Sequence, residues 1–184
     1  AKEHCAKGVS EWTWAGMNDT AHPDLVIASC GDTATVESLA TVSLLKKLLP
    51  KLNVRFVNVV DLMKLVSNKA HPHGLTDSEF NALFTLNKPI IFNFHGYPTL
   101  IHQLTYNRKN RNIHVSGYQE EGTITTSFDM CALNKTDRYN QLLKIIKYID
   151  LPKEKANEIS KFAKDKLKQN HEYIRKFGVD MPEI

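Results

Sequence analysis

Three short apolar runs, Leu25-Val26-Ile27-Ala28, Val54 to Val60 and Pro89 to Phe94, recur roughly every 30 residues with helical periodicity between them. Apart from isolated polar residues they show no regular polar alternation, so they read as strands covered on both faces. A strand, a long crossover and another strand is the mark of parallel pairing, because parallel neighbours cannot be joined by a tight turn. The expected fold is therefore α/β: a three-layer sandwich around a mainly parallel, twisted sheet with right-handed crossovers.

The punctuation between the runs agrees. Val36, Leu39, Ala40, Leu44 and Leu48 recur at helical spacing until Pro50 stops the helix. Ser67 to Gly74 is polar and reads as a loop. Thr76 and Glu79 stand at capping-box spacing, with Leu75 and Phe80 at the staple positions, so a helix begins there. Pro89 is tolerable only at the start of its strand. His95-Gly96-Tyr97-Pro98 turns the chain into a helix through Leu100, Leu104 and Tyr106. Asn112 to Tyr118 reads as a fourth strand, and residues 136–149 as a helix.

Three units are expected. Residues 1–23 form a leading arm or interdomain linker, 24–150 the α/β body, and 151–184 an amphipathic helical appendage. In the appendage Pro152 suits a first turn and Gly178 a terminus. Ala156, Ile159, Ala163, Leu167, Ile174 and Phe177 make its apolar stripe opposite a Lys/Glu-rich face. Trp12 and Trp14 alternate in the leading arm; a bare tryptophan pair is unusual, so both are expected to pack on this domain or on a preceding one.

A net charge of +4 without any long run of like charge argues against nucleic-acid or membrane binding. No apolar stretch approaches the ~20 residues that span a bilayer. The first twenty residues include Lys2, Glu3, His4, Lys7, Glu11 and Asp19, which is unlike a secretory signal, and a cytoplasmic location is expected. Cys5, Cys30 and Cys131 are odd in number, widely spaced and free of any Cys-x-x-Cys. That argues against a disulfide scaffold or a thiolate zinc site and for a reducing compartment.

Ligands in such folds gather at the carboxyl ends of strands. Here those ends are Cys30-Gly31-Asp32-Thr33, Val60-Asp61, Phe94-His95-Gly96 and Gly117-Tyr118. Gly31, Asp32 and Thr33 open a helix, where orphan N–H groups can hold an anion or activate the Cys30 thiol. The plainer reading is a tight turn, a helix cap and a small buried thiol. His71, His73, His95, His102 and His114 lack the spacing of metal-binding helices, and no metal site is expected. Arg108, Lys109 and Arg111 beside Tyr106 are too few for a nucleic-acid face; a solvated loop or a contact with an acidic neighbour is favoured. Glu120, Glu121, Asp129 and Asp137 are expected in surface or capping roles rather than acid–base work. The run from Tyr118 to Asp129 is rich in polar and small residues, and a long loop of this kind suits an interface as well as a plain surface.

At this run the residues carry a resemblance. The carriers are His95-Gly96-Tyr97-Pro98, Ile101-His102, Tyr106-Asn107-Arg108, Asn112-Ile113-His114-Val115, Gly117-Tyr118, Gly122 to Met130, Leu133-Asn134 and Asp137-Arg138. Arg55 to Leu62 and His4-Cys5-Ala6-Lys7-Gly8 fit as well. Together they resemble the C-terminal domain of the xylulose 5-phosphate/fructose 6-phosphate phosphoketolases, with the closest look to the lactic-acid-bacterial type. Ser127 departs from the pattern, which leads one to expect proline there and a locally looser loop without it.

The resemblance implies a transketolase-like enzyme of three α/β domains. Its thiamine diphosphate and magnesium lie between the first two domains, and a ketose phosphate is cleaved by phosphate to acetyl phosphate and an aldose phosphate. It implies that this domain supplies no catalytic residue, since Gly31-Asp32-Thr33 is not the family's Gly-Asp-Gly, and that it binds no cofactor alone. The expected role is assembly, against upstream domains of the same chain and a homodimer partner. Trp12, Trp14, Tyr118, Glu121, Thr123, Thr125 and Asp129 are the expected contacts. Two rivals stay open: an anionic-metabolite site at Gly31, Asp32 and Thr33, and an enzyme using Cys30 as nucleophile.

Overall fold

The structure is a computed structural model, and it describes residues 1–119 and 124–184. In chain order the elements are α1 (Lys2–Lys7), β1 (Val9–Glu11), β2 (Leu25–Cys30), α2 (Asp32–Leu48), β3 (Val54–Val59), α3 (Asp77–Phe84), β4 (Ile90–Phe94), α4 (Pro98–Thr105), β5 (Ile113–Ser116), α5 (Ser127–Leu133), α6 (Arg138–Ile145) and α7 (Lys153–Phe177), with single 3-10 turns at Thr13–Ala15 and Leu62–Leu65. The sheet runs β1-β3-β2-β4-β5. β2 pairs in parallel with both β3 and β4, β4 pairs in parallel with β5, and β1 lies antiparallel on β3.

The all-apolar look of β2 follows from its place at the centre. Leu25 and Ile27 face one core with Val42 and Leu45 of α2, Leu142 and Ile145 of α6, and Ile159 and Ala163 of α7. Val26, Ala28 and Cys30 face the other with Phe80 and Phe84 of α3, Ile101 of α4 and Phe92 of β4. Each fully buried Leu, Ile or Phe contributes about 1.5–3 kcal/mol. Two helical layers around one sheet give the three-layer sandwich.

The appendage folds back on the body. Ile159 and Ala163 of α7 are fully buried, and Asn170, one further turn pair along the same stripe, is buried too. Asn170 Oδ1 accepts from Met181 N–H at 2.9 Å, which turns the last residues toward α5. There Asp180 accepts from Thr126 Oγ1 at 2.6 Å and from the Phe128 N–H at 3.2 Å. Phe177, at the end of the expected stripe, is 53% exposed.

Several details differ from the sequence reading. Val9–Glu11 is a strand that extends the sheet, and Met17 bridges to Val54 beyond it. The fourth parallel strand is shorter than expected, Ile113–Ser116. Ser127–Leu133, whose first three residues were read as the end of a long loop, is a helix capped by Thr126, whose side chain accepts from the Asp129 N–H. Arg108 is the plainest correction. It is 2% exposed rather than solvated. Its Nε donates to Leu65 O, its Nη2 to Val66 O and Leu75 O, and its Nη1 to Asp77. The guanidinium also lies 4.3 Å above the Phe80 ring. Its partners lie in the 3-10 turn at Leu62–Leu65, the loop after it and the first turn of α3, so it is an internal staple.

Candidate functional site

The chain leaves β2 for a neighbour on one side, β3, and later returns to place β4 on the other side. The carboxyl ends of β2 and β4 therefore flank the point where strand order reverses, the usual position for a site in an open α/β sheet. Gly31 makes the first turn here. It has φ +101°, and a Cβ at this position would collide with the His95 Cβ, so glycine is required on both grounds. Gly117 is equally constrained by close approach, since a Cβ there would strike Gly96 O and lie 3.0 Å from the Pro98 ring. The loops are stitched together by His95 N–H to Cys30 O at 2.9 Å and Tyr118 N–H to Gly96 O at 2.8 Å.

Behind these loops a polar row crosses the sheet. Register places Ser10 beside Asn58, Asn58 beside Ser29, Ser29 beside Asn93 and Asn93 beside Ser116, one residue from each strand. All five face the α2–α6 layer. Asn93 donates through Nδ2 to Ala34 O and Thr136 O, at 3.0 and 2.8 Å, holding the start of α2 near the start of α6. Its Oδ1 is buried with no hydrogen-bond partner. Asn58 donates to Ser29 Oγ and Thr35 Oγ1, both at 3.1 Å, and lies 2.8 Å from His4 Nε2. His4 Nδ1 is 2.6 Å from Ser10 Oγ, so the imidazole donates to Asn58 Oδ1 and accepts from Ser10.

A cavity of about 300 Å³ opens beside this row, lined among others by Thr33, Phe94, His95, Tyr118, Met130 and Thr136. Tyr118 and Tyr97 meet edge to face at its mouth, with ring centroids 5.5 Å apart. A larger, shallower groove of about 770 Å³ lies at the opposite end of the sheet, between residues 48–52 and 148–151. The first is at the topological switch point and the second is not.

Burial pushes the Cys30 thiol up to about 11, the reverse of what an activated thiolate needs. Cys131 is likewise pushed to about 11, by burial and then by the Glu37 charge. At the head of α2 the carboxylate of Asp32 accepts from the Thr33 N–H at 2.7 Å and from His95 Nδ1 at 3.0 Å. Those bonds, the Thr33 N–H first, hold the Asp32 carboxyl below the usual range. A carboxylate already sits on this helix terminus, so Gly31, Asp32 and Thr33 present a local negative charge to any incoming anion. Among the described residues no three His, Cys, Asp or Glu converge as a metal site.

Trp12 is half-buried between the Phe56 ring at 5.8 Å and the Trp14 ring at 5.2 Å, while Trp14 is 68% exposed. Tyr118 is at the switch-point cavity. Thr125 donates to Asp129 Oδ2 at 2.8 Å across the first turn of α5. Glu121 and Thr123, with Glu120, lie outside the described residues. Ile124, beside them, is fully exposed. Asp137 has the capping role expected of it, accepting from the Tyr139 and Asn140 N–H groups. The polar row and the buried Glu37–Arg138 pair were missed. Ser29, Asn58 and Asn93 inside apolar runs were the readable signal.

A five-stranded, mostly parallel sheet between helical layers, with a long C-terminal helix, defines a transketolase C-terminal-like α/β domain. The whole chain, residues 1–184, matches the family described as XFP C-terminal domain. It is 52% identical over 184 residues to a probable phosphoketolase of Clostridium acetobutylicum. It is 51% identical over 185 residues to one of Rhodopirellula baltica and 50% identical over 186 residues to one of Bradyrhizobium diazoefficiens. The chain belongs to the phosphoketolase C-terminal-domain family. Each of these matches covers 100% of the chain and 23% of the relative's length. Among the described residues no helix is long and apolar enough to cross a membrane.

Proposed function

We propose that this chain is the assembly domain of a thiamine diphosphate-dependent phosphoketolase of the cytoplasm. The parent enzyme cleaves xylulose 5-phosphate, or fructose 6-phosphate, with inorganic phosphate to give acetyl phosphate and an aldose phosphate. The observation that carries the reading is the end-to-end match, at about half identity, to proteins named probable phosphoketolase of which the chain spans 23%. The described residues do not fit magnesium diphosphate: Asp32 is engaged by Thr33 and His95, and no metal-ligand cluster stands near it. No step of the reaction is assigned to this chain.

Its work in this reading is docking, on upstream domains of the same polypeptide and on a second subunit. The exposed apolar residues support this. Trp14 stands out on the β1 side, Val36, Tyr97 and Tyr118 stand out near the switch point, at 59%, 53% and 36% exposure, and Ile124 before α5 is fully exposed. Apolar surface left open on one domain is the ordinary mark of an interface.

The test is to purify the protein that carries this chain and supply xylulose 5-phosphate, phosphate, thiamine diphosphate and magnesium. Acetyl phosphate is then trapped as its hydroxamate. Phosphate-dependent acetyl hydroxamate is expected; none with either ketose phosphate overturns the reading. Trp14→Ala in the same protein is expected to lower the native mass and the activity together.

A further inference from the structure

α6 is tied to the last strand by a lysine. Lys144 Nζ donates to Val115 O at 2.9 Å and to Ser116 Oγ at 2.5 Å, both on β5. The side chain is half-buried, and the charges that act on it are Lys147 on its own helix and Lys135 in the turn before it, both cationic. From β5, the His114 ring stacks on Tyr148, three residues past the end of α6, with centroids 3.3 Å apart. The charges acting on His114 are Lys144 and, from α4, His102. Among the described residues no carboxylate lies within ion-pair distance of Lys135, Lys144 or Lys147.

This arrangement has two chemical consequences. A cluster of cations attracts a small dianion such as a phosphate ester or anhydride. An amine that spends two N–H bonds on fixed acceptors keeps its remaining position, a proton or a lone pair, turned away from them. Burial first, and the two lysines after it, push the Lys144 amine down to about 8. About a tenth of it is then unprotonated at pH 7, against well under a hundredth for an ordinary lysine.

We propose that Lys144 is a modification site that takes acyl groups from small acyl phosphates, its amine fixed on β5 among neighbouring lysines that draw the phosphate in. The unprotonated Nζ attacks the carbonyl carbon of the acyl phosphate. A C–N bond forms, the C–O bond to phosphorus oxygen breaks, and inorganic phosphate leaves with the electron pair. The surplus proton of the amine passes to the departing phosphate or to water, and nothing is oxidised. The amide keeps one N–H, so one of the two bonds to β5 is lost together with the charge. The natural donor, acetyl phosphate, rests on the proposed function; the reactivity of Lys144 does not.

The experiment adds acetyl phosphate to the purified full-length protein over pH 6.5–9.5 and follows acetylated peptides by mass spectrometry. Lys161 and Lys164, exposed on α7, serve as internal references. Lys144 is expected to react at least about tenfold faster than either at pH 7.5, with a midpoint near 8. Lys144→Arg is expected to abolish that peptide's modification while circular dichroism stays unchanged. A Lys144 rate equal to or below those of Lys161 and Lys164 overturns the proposal. Because the donor is added, a protein that makes no acetyl phosphate of its own still gives the tenfold preference. Failure of the phosphoketolase reading would be seen separately, as no hydroxamate from ketose phosphate.

Discussion

Arg138 grips Glu37 three times: Nη2 donates to Oε1 at 2.7 Å, Nε donates to Oε2 at 2.9 Å, and the Arg138 backbone N–H donates to the same Oε2 at 2.9 Å. The pair joins α2 to the start of α6 across 101 residues of sequence, with side chains only 7% and 14% exposed. Removing one member of such a pair strands the other charge in a poorly solvated place. Glu37→Ala is expected to cost about 3 kcal/mol in urea unfolding. Glu37→Ala with Arg138→Met is expected to cost less than the two single changes added. Full additivity would mean that the pair is not energetically coupled.

Ser127 is the first residue of α5, a position where the N–H has no helical partner and proline is favoured. Thr126 before it has φ −68° and ψ 160°, the extended conformation that a following proline demands. Ser127→Pro should therefore raise stability by about 0.4–1 kcal/mol, through a less flexible unfolded chain. A rise in the urea midpoint checks it; a fall would mean that the Ser127 side chain or N–H has a partner that proline removes.

Asp137 caps α6 through bonds from Tyr139 N–H, Asn140 N–H and Asn140 Nδ2, and it is fully buried. Burial outweighs those donors and pushes its carboxyl up to about 6 from an ordinary 3.8. The folded chain thus keeps a proton between about pH 4 and 6 that the unfolded chain has released. Its contribution to stability is complete below that window, is lost as pH rises through it, and is flat above it. The slope is at most about 1.4 kcal/mol per pH unit. Asp137→Asn removes the titration. The difference between the two proteins in urea unfolding should change from pH 4 to 6 and stay constant above; a constant difference throughout would place Asp137 in the ordinary range.

The central strands and the capping box were legible because their causes are local. Leu25–Cys30, Val54–Val59 and Ile90–Phe94 are mostly apolar and buried on both sides of the pleat. Thr76 and Glu79 exchange their two bonds within one helical turn, at 3.2 and 2.8 Å. The misses have distant causes. Val9–Glu11 is too short to announce itself, and only β3 makes it a strand. The start of α5 is held by Asp180, which lies 52 residues beyond Phe128. Arg108 reads as an ordinary surface cation until the carbonyls of Leu65, Val66 and Leu75 are brought round it. The switch-point loops could be read from the strand ends. The alignment of Ser29, Asn58 and Asn93 could not, because it depends on strand order.

That alignment solves a problem peculiar to a sheet whose middle strands are greasy throughout. Where both faces are oily, sliding one strand by two residues keeps every face oily, so hydrophobicity alone is nearly blind to the error. With Ser29, Asn58, Asn93 and Ser116 each forming one rung, the same slide would set Asn58 or Asn93 against Ile27, or Ser29 against Phe56 or Ile91, in the row two places along. The rung works as an indexing notch: it lets the five strands lock at one offset, and with them the loops that carry Gly31, His95 and Tyr118 to a common edge.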